Sequence, residues 1–174
     1  MTLVAPARSA RPARPTRPTR YADLIPEAAA GRDDVFFFGT LMHDVVLEAV
    51  LDRRVESHET RPATLSGFRR ERAAEASYPV LVEDRAASIA GRLLHRPSGR
   101  CIARINHFED DEYRARRLAV RSHGSVHAAW VFLPLDHVAT MRPSGEPWDL
   151  DRWADAHLDG YRRAISQWMA NAPA

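Results

Sequence analysis

Two short segments, one around residue 39 and one around residue 109, carry the residue types that could do chemistry. In the first, Phe37-Phe38-Gly39-Thr40-Leu41-Met42, an apolar strand runs into a glycine turn and then a helix. Gly39 has no Cβ to block the close approach of a ligand. The N–H groups of Thr40, Leu41 and Met42 fall at the helix start, where backbone donors lack intrahelical acceptors and can hold a carboxylate or a developing oxyanion. In the second, Phe108-Glu109-Asp110-Asp111-Glu112-Tyr113, an apolar helix end breaks into carboxylates. Burial beside Phe108 and the like charges of neighbouring acids both raise a carboxylate pKa, which suits Glu109 to accept a proton and return it. The plainer readings are a structural turn for the first segment and a solvated acidic loop, neutralised by Arg114, Arg116 and Arg117, for the second.

The elements that must position these residues are legible in outline. Val35 to Phe38 reads as a buried strand, and Val45, Val46, Leu47, Val50 and Leu51 recur at helical spacing after it. Thr64 to Arg69, Tyr78 to Val82 and Ile89 to Leu94 read as three further strands. Gly91, inside the last of these, predicts a bulge or a close backbone approach. Ser98 is placed to cap a short helix with Ile102, Ile105 and Phe108 on one face. Leu118 to Arg121 and Val126 to Leu133 flank a hairpin turn at Ser122-His123-Gly124-Ser125. Asp149 is the expected cap of a final helix whose stripe is Leu150, Trp153, His157, Tyr161, Ile165 and Trp168, packed on the sheet. Strands in sequence with helices interspersed predict an α+β domain with a curled or closed mixed sheet.

Composition sets the remaining bounds. The 174 residues suffice for one domain with its own core, and 45% of them are apolar. No apolar run approaches a membrane span, the N-terminus lacks a secretory apolar region, and Cys101 has no cysteine to pair with, so a cytoplasmic location is expected. All 25 basic residues are arginine, and five of them, Arg8, Arg11, Arg14, Arg17 and Arg20, precede the first acid, Asp23. Without those five, 20 arginines stand against 23 acids, so net charge does not predict nucleic-acid binding by the folded domain. Within residues 1–30, Arg11 to Arg20 repeats an arginine and a proline every three positions, which predicts a disordered, extended tail; contact with a polyanion or membrane headgroups is the alternative use for it. Residues 31–174 are expected to form the domain.

Taken together, the motifs resemble the gamma-glutamylcyclotransferase-like family, which includes gamma-glutamylamine cyclotransferases and the deprotecting enzyme of butirosin biosynthesis. Phe38-Gly39-Thr40-Leu41 is similar to the family's Tyr-Gly-Ser/Thr-Leu. Phe108-Glu109 with Tyr113 is similar to its Phe-Glu-Gly segment followed by Tyr. Tyr78-Pro79-Val80-Leu81 and Ile89-Ala90-Gly91-Arg92-Leu93 resemble its Tyr-Pro and glycine-containing strands, so the likeness runs from Val35 to Leu133. The resemblance implies a small closed, mixed β-barrel surrounded by helices, with a C-terminal helix. It implies a reaction without metal or cofactor, in which the substrate's α-amine attacks its own γ-carbonyl and releases 5-oxoproline and a free amine or amino acid. Glu109 is carried over as the general acid/base. Phe38, Gly39, Thr40, Leu41, Met42, Tyr78 and Tyr113 are carried over as substrate-binding residues. The expected partner is a small gamma-glutamyl molecule, with no membrane and no nucleic acid on the folded domain. The chain departs from the family pattern at Phe38, Asp110, Asn106, Ala115 and Phe132. Those departures keep a second reading open, a non-catalytic binding domain on the same scaffold. His123 and His127 flank a turn and are not expected to hold a metal. His43 could touch a ligand, and Cys101 is read as core.

Overall fold

The structure, a computed structural model, describes residues 24–109, 112–135 and 141–174. Among the described residues, six strands and three α-helices follow one another. They are β1 (Asp34–Phe37), α1 (Asp44–Leu51), β2 (Thr60–Ala73), β3 (Pro79–Leu94), α2 (Gly99–Glu109), β4 (Tyr113–Ser122), β5 (Ser125–Pro134), β6 (Pro143–Pro147) and α3 (Leu150–Trp168). The sheet order is β3-β1-β5-β4-β2-β6, and a direct β3–β2 pairing closes the first five strands into a barrel. β1 lies parallel to β5 and antiparallel to β3, which makes the barrel mixed. The expected closed mixed barrel with surrounding helices and a C-terminal helix is therefore the fold. None of the helices among the described residues is long and apolar enough to cross a membrane.

Each wall of the barrel has a local cause. β1 is buried along its whole length and lies between β3 and β5. Its neighbour β3 can approach because residue 91 is glycine: a Cβ there would lie 2.3 Å from Phe36 Cζ and 2.4 Å from the Phe37 carbonyl. The expected close approach at Gly91 is thus a tight one. β4 and β5 join through His123 and Gly124, both at positive φ (49° and 77°), the backbone that a two-residue hairpin requires. Ser98 and Asp149 cap their helices, their side-chain oxygens accepting the N–H of Cys101 at 3.3 Å and of Arg152 at 2.9 Å.

Three expectations change. Tyr78 to Val82 and Ile89 to Leu94 belong to one strand, β3, and the strand expected over Thr64 to Arg69 extends over the whole of β2. The residues 83–88 between the two β3 segments read as a loop, yet the strand runs through them: Glu83 and Ser88 pair with β2, and residues 84–87 bulge opposite Gly67, where the register shifts between Ser66 and Phe68. Second, His157 is exposed and Leu158 packs in its place, while the stripe lies against α1 and, through Trp153, against Ser77. Third, packing begins before residue 31: Ile25 and Ala29 are buried, and the Asn106 amide accepts from Ile25 N at 3.1 Å and donates to Ile25 O at 2.9 Å.

α1 supplies the densest part of the core, with Val46, Leu47, Val50 and Leu51 fully buried beneath it. α2 adds Cys101, Ile102, Ile105 and Phe108, as its periodicity predicts, and Cys101 is a core residue. The burial of these side chains fixes α1 and α2 against the barrel, and hence fixes the segments that leave their ends.

Candidate functional site

The glycine turn sits where β1 leaves the barrel. Phe38 is buried, Gly39 follows it, and Thr40–Met42 forms a single 3₁₀ turn before α1 starts at Asp44. The expected strand-glycine-helix is therefore a strand, a 3₁₀ turn and only then an α-helix. This corrects one donor. Met42 N–H is spent on Gly39 O at 2.9 Å, so Met42 offers its side chain and carbonyl and not its amide. The Thr40 and Leu41 N–H groups have no backbone or side-chain acceptor among the described residues. The Thr40 hydroxyl lies 3.4 Å from the Tyr161 hydroxyl on α3.

Pro79 packs on this turn, and Tyr113 reaches Pro79. A Cβ at Gly39 would stand 3.0 Å from Pro79 Cγ, so the absence of a side chain at Gly39 is what lets the start of β3 close over it. Tyr113 is buried at the start of β4, and its hydroxyl lies 3.5 Å from Pro79 O, a long donor contact. Pro79 therefore touches both the first motif and the second. Tyr78, beside it, is half-buried, and its carbonyl accepts Ala73 N–H at 3.0 Å. Glu109 is the last residue of α2, half-buried and four residues before Tyr113. Asp110 and Asp111, the middle of the acidic cluster, lie outside the described residues.

Sequence reasoning missed the cations that brace the turn. Arg92 donates to Met42 O at 3.0 Å and to Thr60 Oγ1 at 2.9 Å, and it pairs with Asp44. Arg70 donates to Phe38 O at 2.7 Å and lies over the Trp148 ring, 5.2 Å from its centroid. Trp148 begins an aromatic series, with Trp153, Tyr161 and Trp168 following at centroid separations of 6.2, 4.9 and 5.3 Å. Arg70 stands in a run of four charged residues, and nothing local distinguishes it from Arg69 or Arg72. Tyr161 was visible only as one member of a helical stripe.

The remaining candidates have plain surroundings. His43 caps α1 without a side-chain capping bond, and its Nδ1 is buried with no partner. His123 is exposed in its turn, and no cluster of His, Cys, Asp and Glu among the described residues is arranged to hold a metal. Asn106, Ala115 and Phe132 have structural duties. Asn106 clamps the N-terminal segment. Ala115 and Phe132 are cross-strand partners buried in the barrel, a small residue opposite a large one.

A family model described as "Gamma-glutamyl cyclotransferase, AIG2-like" matches residues 35–155. The chain belongs to that family. Two Arabidopsis thaliana members are similar along most of their length. AIG2-like protein D is 24% identical over 138 residues, which cover 76% of this chain and 86% of the relative. Protein AIG2 C is 26% identical over 148 residues, covering 79% and 84%. Solved structures share the fold. One Arabidopsis thaliana protein solved in solution aligns with a TM-score of 0.54 at 20% identity, over 82% of this chain and 95% of its own. YkqA from Bacillus subtilis aligns with a TM-score of 0.52 at 17% identity, over 81% of this chain and 55% of its own. The family's matched segment begins at β1 and ends inside α3, so it contains the glycine turn, Pro79, Glu109, Tyr113 and Trp148 together.

Proposed function

We propose that this chain is a cytoplasmic cyclotransferase that converts a small gamma-glutamyl molecule into 5-oxoproline and a free amine or amino acid. The observation that carries the reading is the contact series from Gly39 through Pro79 to Tyr113, which joins the glycine turn to the segment that holds Glu109. In this reading the catalytic domain takes in the packed residues Ile25 and Ala29 ahead of the expected boundary at residue 31, and the arginine-proline segment is an appendage.

The chemistry follows from the groups available. The substrate's α-ammonium, with a pKa of about 8, must lose a proton before its nitrogen can attack. Glu109 as the carboxylate takes that proton. The freed amine adds to the γ-carbonyl, the five-membered ring closes, and negative charge develops on the carbonyl oxygen. The C–N bond to the leaving group then breaks while Glu109 returns its proton to the departing nitrogen, and the second proton, shed by the ring nitrogen as the lactam forms, leaves with the product amine as its ammonium. The unengaged N–H groups of Thr40 and Leu41 hold the glutamyl end. Phe38, Tyr78, Met42 and Tyr113 shape the walls around it. Because nucleophile and electrophile belong to one molecule, the gain comes from holding a ring-closing conformer, and a tightly packed turn suits that task.

The second reading, a binding domain that converts nothing, is favoured by Phe38 and Phe132, which bring no hydroxyl to the site, and by the apolar Ala115–Phe132 pair. One assay separates the two. Purified protein is incubated with a panel of gamma-glutamyl amines and gamma-glutamyl dipeptides, and released 5-oxoproline is measured. Release from one class supports the enzyme and names the leaving group. Binding of a panel member with no release supports the binding domain.

A further inference from the structure

Arg70 is a cation held at the glycine turn without an ion-pair partner among the described residues. Beyond the Gly67 bulge it is in register with Leu81, two residues from Pro79, and cross-strand partners share a face of the sheet. Its guanidinium accordingly reaches the turn. Nη1 donates to Phe38 O at 2.7 Å, with longer contacts to Ala90 O at 3.4 Å and Met42 Sδ at 3.5 Å. Among the described residues, Nε is sealed from solvent and has no acceptor, whereas Nη2 has no acceptor and is not sealed. No carboxylate lies within ion-pair reach among the described residues. Asp149 acts on Arg70 only from farther off, and burial pulls the guanidinium below its usual pKa. Its neighbour Arg92, at the same turn, has Asp44.

Burying a charged group is costly unless it is paired, and the Trp148 face compensates only in part. An arginine kept this way matches a carboxylate supplied from outside, because its planar fork binds that group at two points. We propose that Arg70 receives the α-carboxylate of the glutamyl group, beside the Thr40 and Leu41 N–H groups, and so selects for an acidic substrate end. This inference rests on the cyclotransferase reading. It assigns specificity to a residue outside the motifs that carry the family resemblance.

The test compares 5-oxoproline with 2-pyrrolidinone, the same lactam lacking the carboxylate. Both are titrated calorimetrically into the wild type and into Arg70→Gln, with thermal unfolding of each protein recorded. The wild type is expected to prefer 5-oxoproline by about tenfold to a hundredfold, the range of a charged hydrogen bond. Arg70→Gln is expected to lose most of that preference, keeping only what the Thr40 and Leu41 N–H groups supply, with 2-pyrrolidinone unchanged. Equal weakening of both ligands would show a merely structural role and overturn the inference, as would a preference that survives the substitution undiminished. If Arg70→Gln does not fold, a crystal structure of the wild type soaked with 5-oxoproline decides. A carboxylate oxygen about 3 Å from the guanidinium is expected, and a carboxylate bound elsewhere overturns the role. The two readings fail separately. Preference for the carboxylated lactam without any 5-oxoproline release keeps the carboxylate site and removes the reaction. Release without that preference keeps the reaction and removes Arg70.

Discussion

The two ends of β1 treat buried charge in opposite ways. At its start, Asp34 is almost fully buried and surrounded by partners. His95 Nδ1 lies 2.8 Å from one carboxylate oxygen, Arg96 N–H donates to the same oxygen at 3.1 Å, and Arg61 Nη2 donates to the other at 3.1 Å. At its far end, Arg70 has a carbonyl, a thioether and an aromatic face, but no acid within ion-pair reach among the described residues. Arg61 and Arg70 each leave Nε without an acceptor, so the contrast lies in counter-charge and not in a tally of satisfied atoms. The lesson is that one end of the barrel is electrostatically closed and serves the fold. The other is electrostatically incomplete, and a ligand would complete it.

The comparison breaks most completely if β1 is displaced. Gly91→Ala puts a methyl group into the Phe36 ring and the Phe37 carbonyl. Overpacking against backbone is expected to cost about 3 kcal/mol, read as a lower denaturant midpoint. Both ends are expected to suffer, because the glycine turn and Asp34 hang on the same strand. A more selective break is Asp34→Asn. It removes the charge that His95 and Arg61 address and is expected to cost about 2 kcal/mol of stability. Its preference for 5-oxoproline over 2-pyrrolidinone should stay at the wild-type value. Should Asp34→Asn alter that preference, the two ends would not be independent and the comparison would fail.

The smallest effect concerns an ion pair belonging to neither end. Arg53 grips Glu59 at two points, 2.8 and 2.6 Å, and this hydrogen bonding holds the Glu59 carboxyl down at about 2, against an ordinary 4.5. A depressed acid stabilises the fold above its unfolded pKa and loses that contribution as pH falls through its folded pKa. The loss for Glu59 therefore falls between pH 4.5 and pH 2. Because the pair is partly solvated, its worth is below about 1 kcal/mol. Arg53→Gln should flatten that part of the acid unfolding curve and leave ligand binding untouched.

Much of the fold was legible because its causes are local. An apolar run followed by glycine marks β1 and its turn. Asp149 and Ser98 mark helix starts, and His123-Gly124 marks the hairpin. The continuity of β3 was not legible, since Glu83, Asp84 and Arg85 carry the composition of a loop, and only the pairing of Glu83 and Ser88 with β2 on either side of a bulge joins the two segments. Glu109, Gly39 and Tyr113 stood out as motif residues. The cations and aromatics around them did not. Arg70 reaches Phe38 across 32 positions and Tyr161 reaches Thr40 across 121, and no spacing rule covers contacts made by barrel closure. Met42 was misjudged because a 3₁₀ turn consumes one donor more than a free helix start does.

The central claim is that Glu109 moves the proton in an intramolecular ring closure at the glycine turn. Its most direct test is the rate of 5-oxoproline release by the wild type and by Glu109→Gln on the best substrate of the panel, with equal unfolding temperatures as a control. The account predicts a loss of about 10²- to 10⁴-fold with the fold intact. A Glu109→Gln protein that releases 5-oxoproline at the wild-type rate would contradict it.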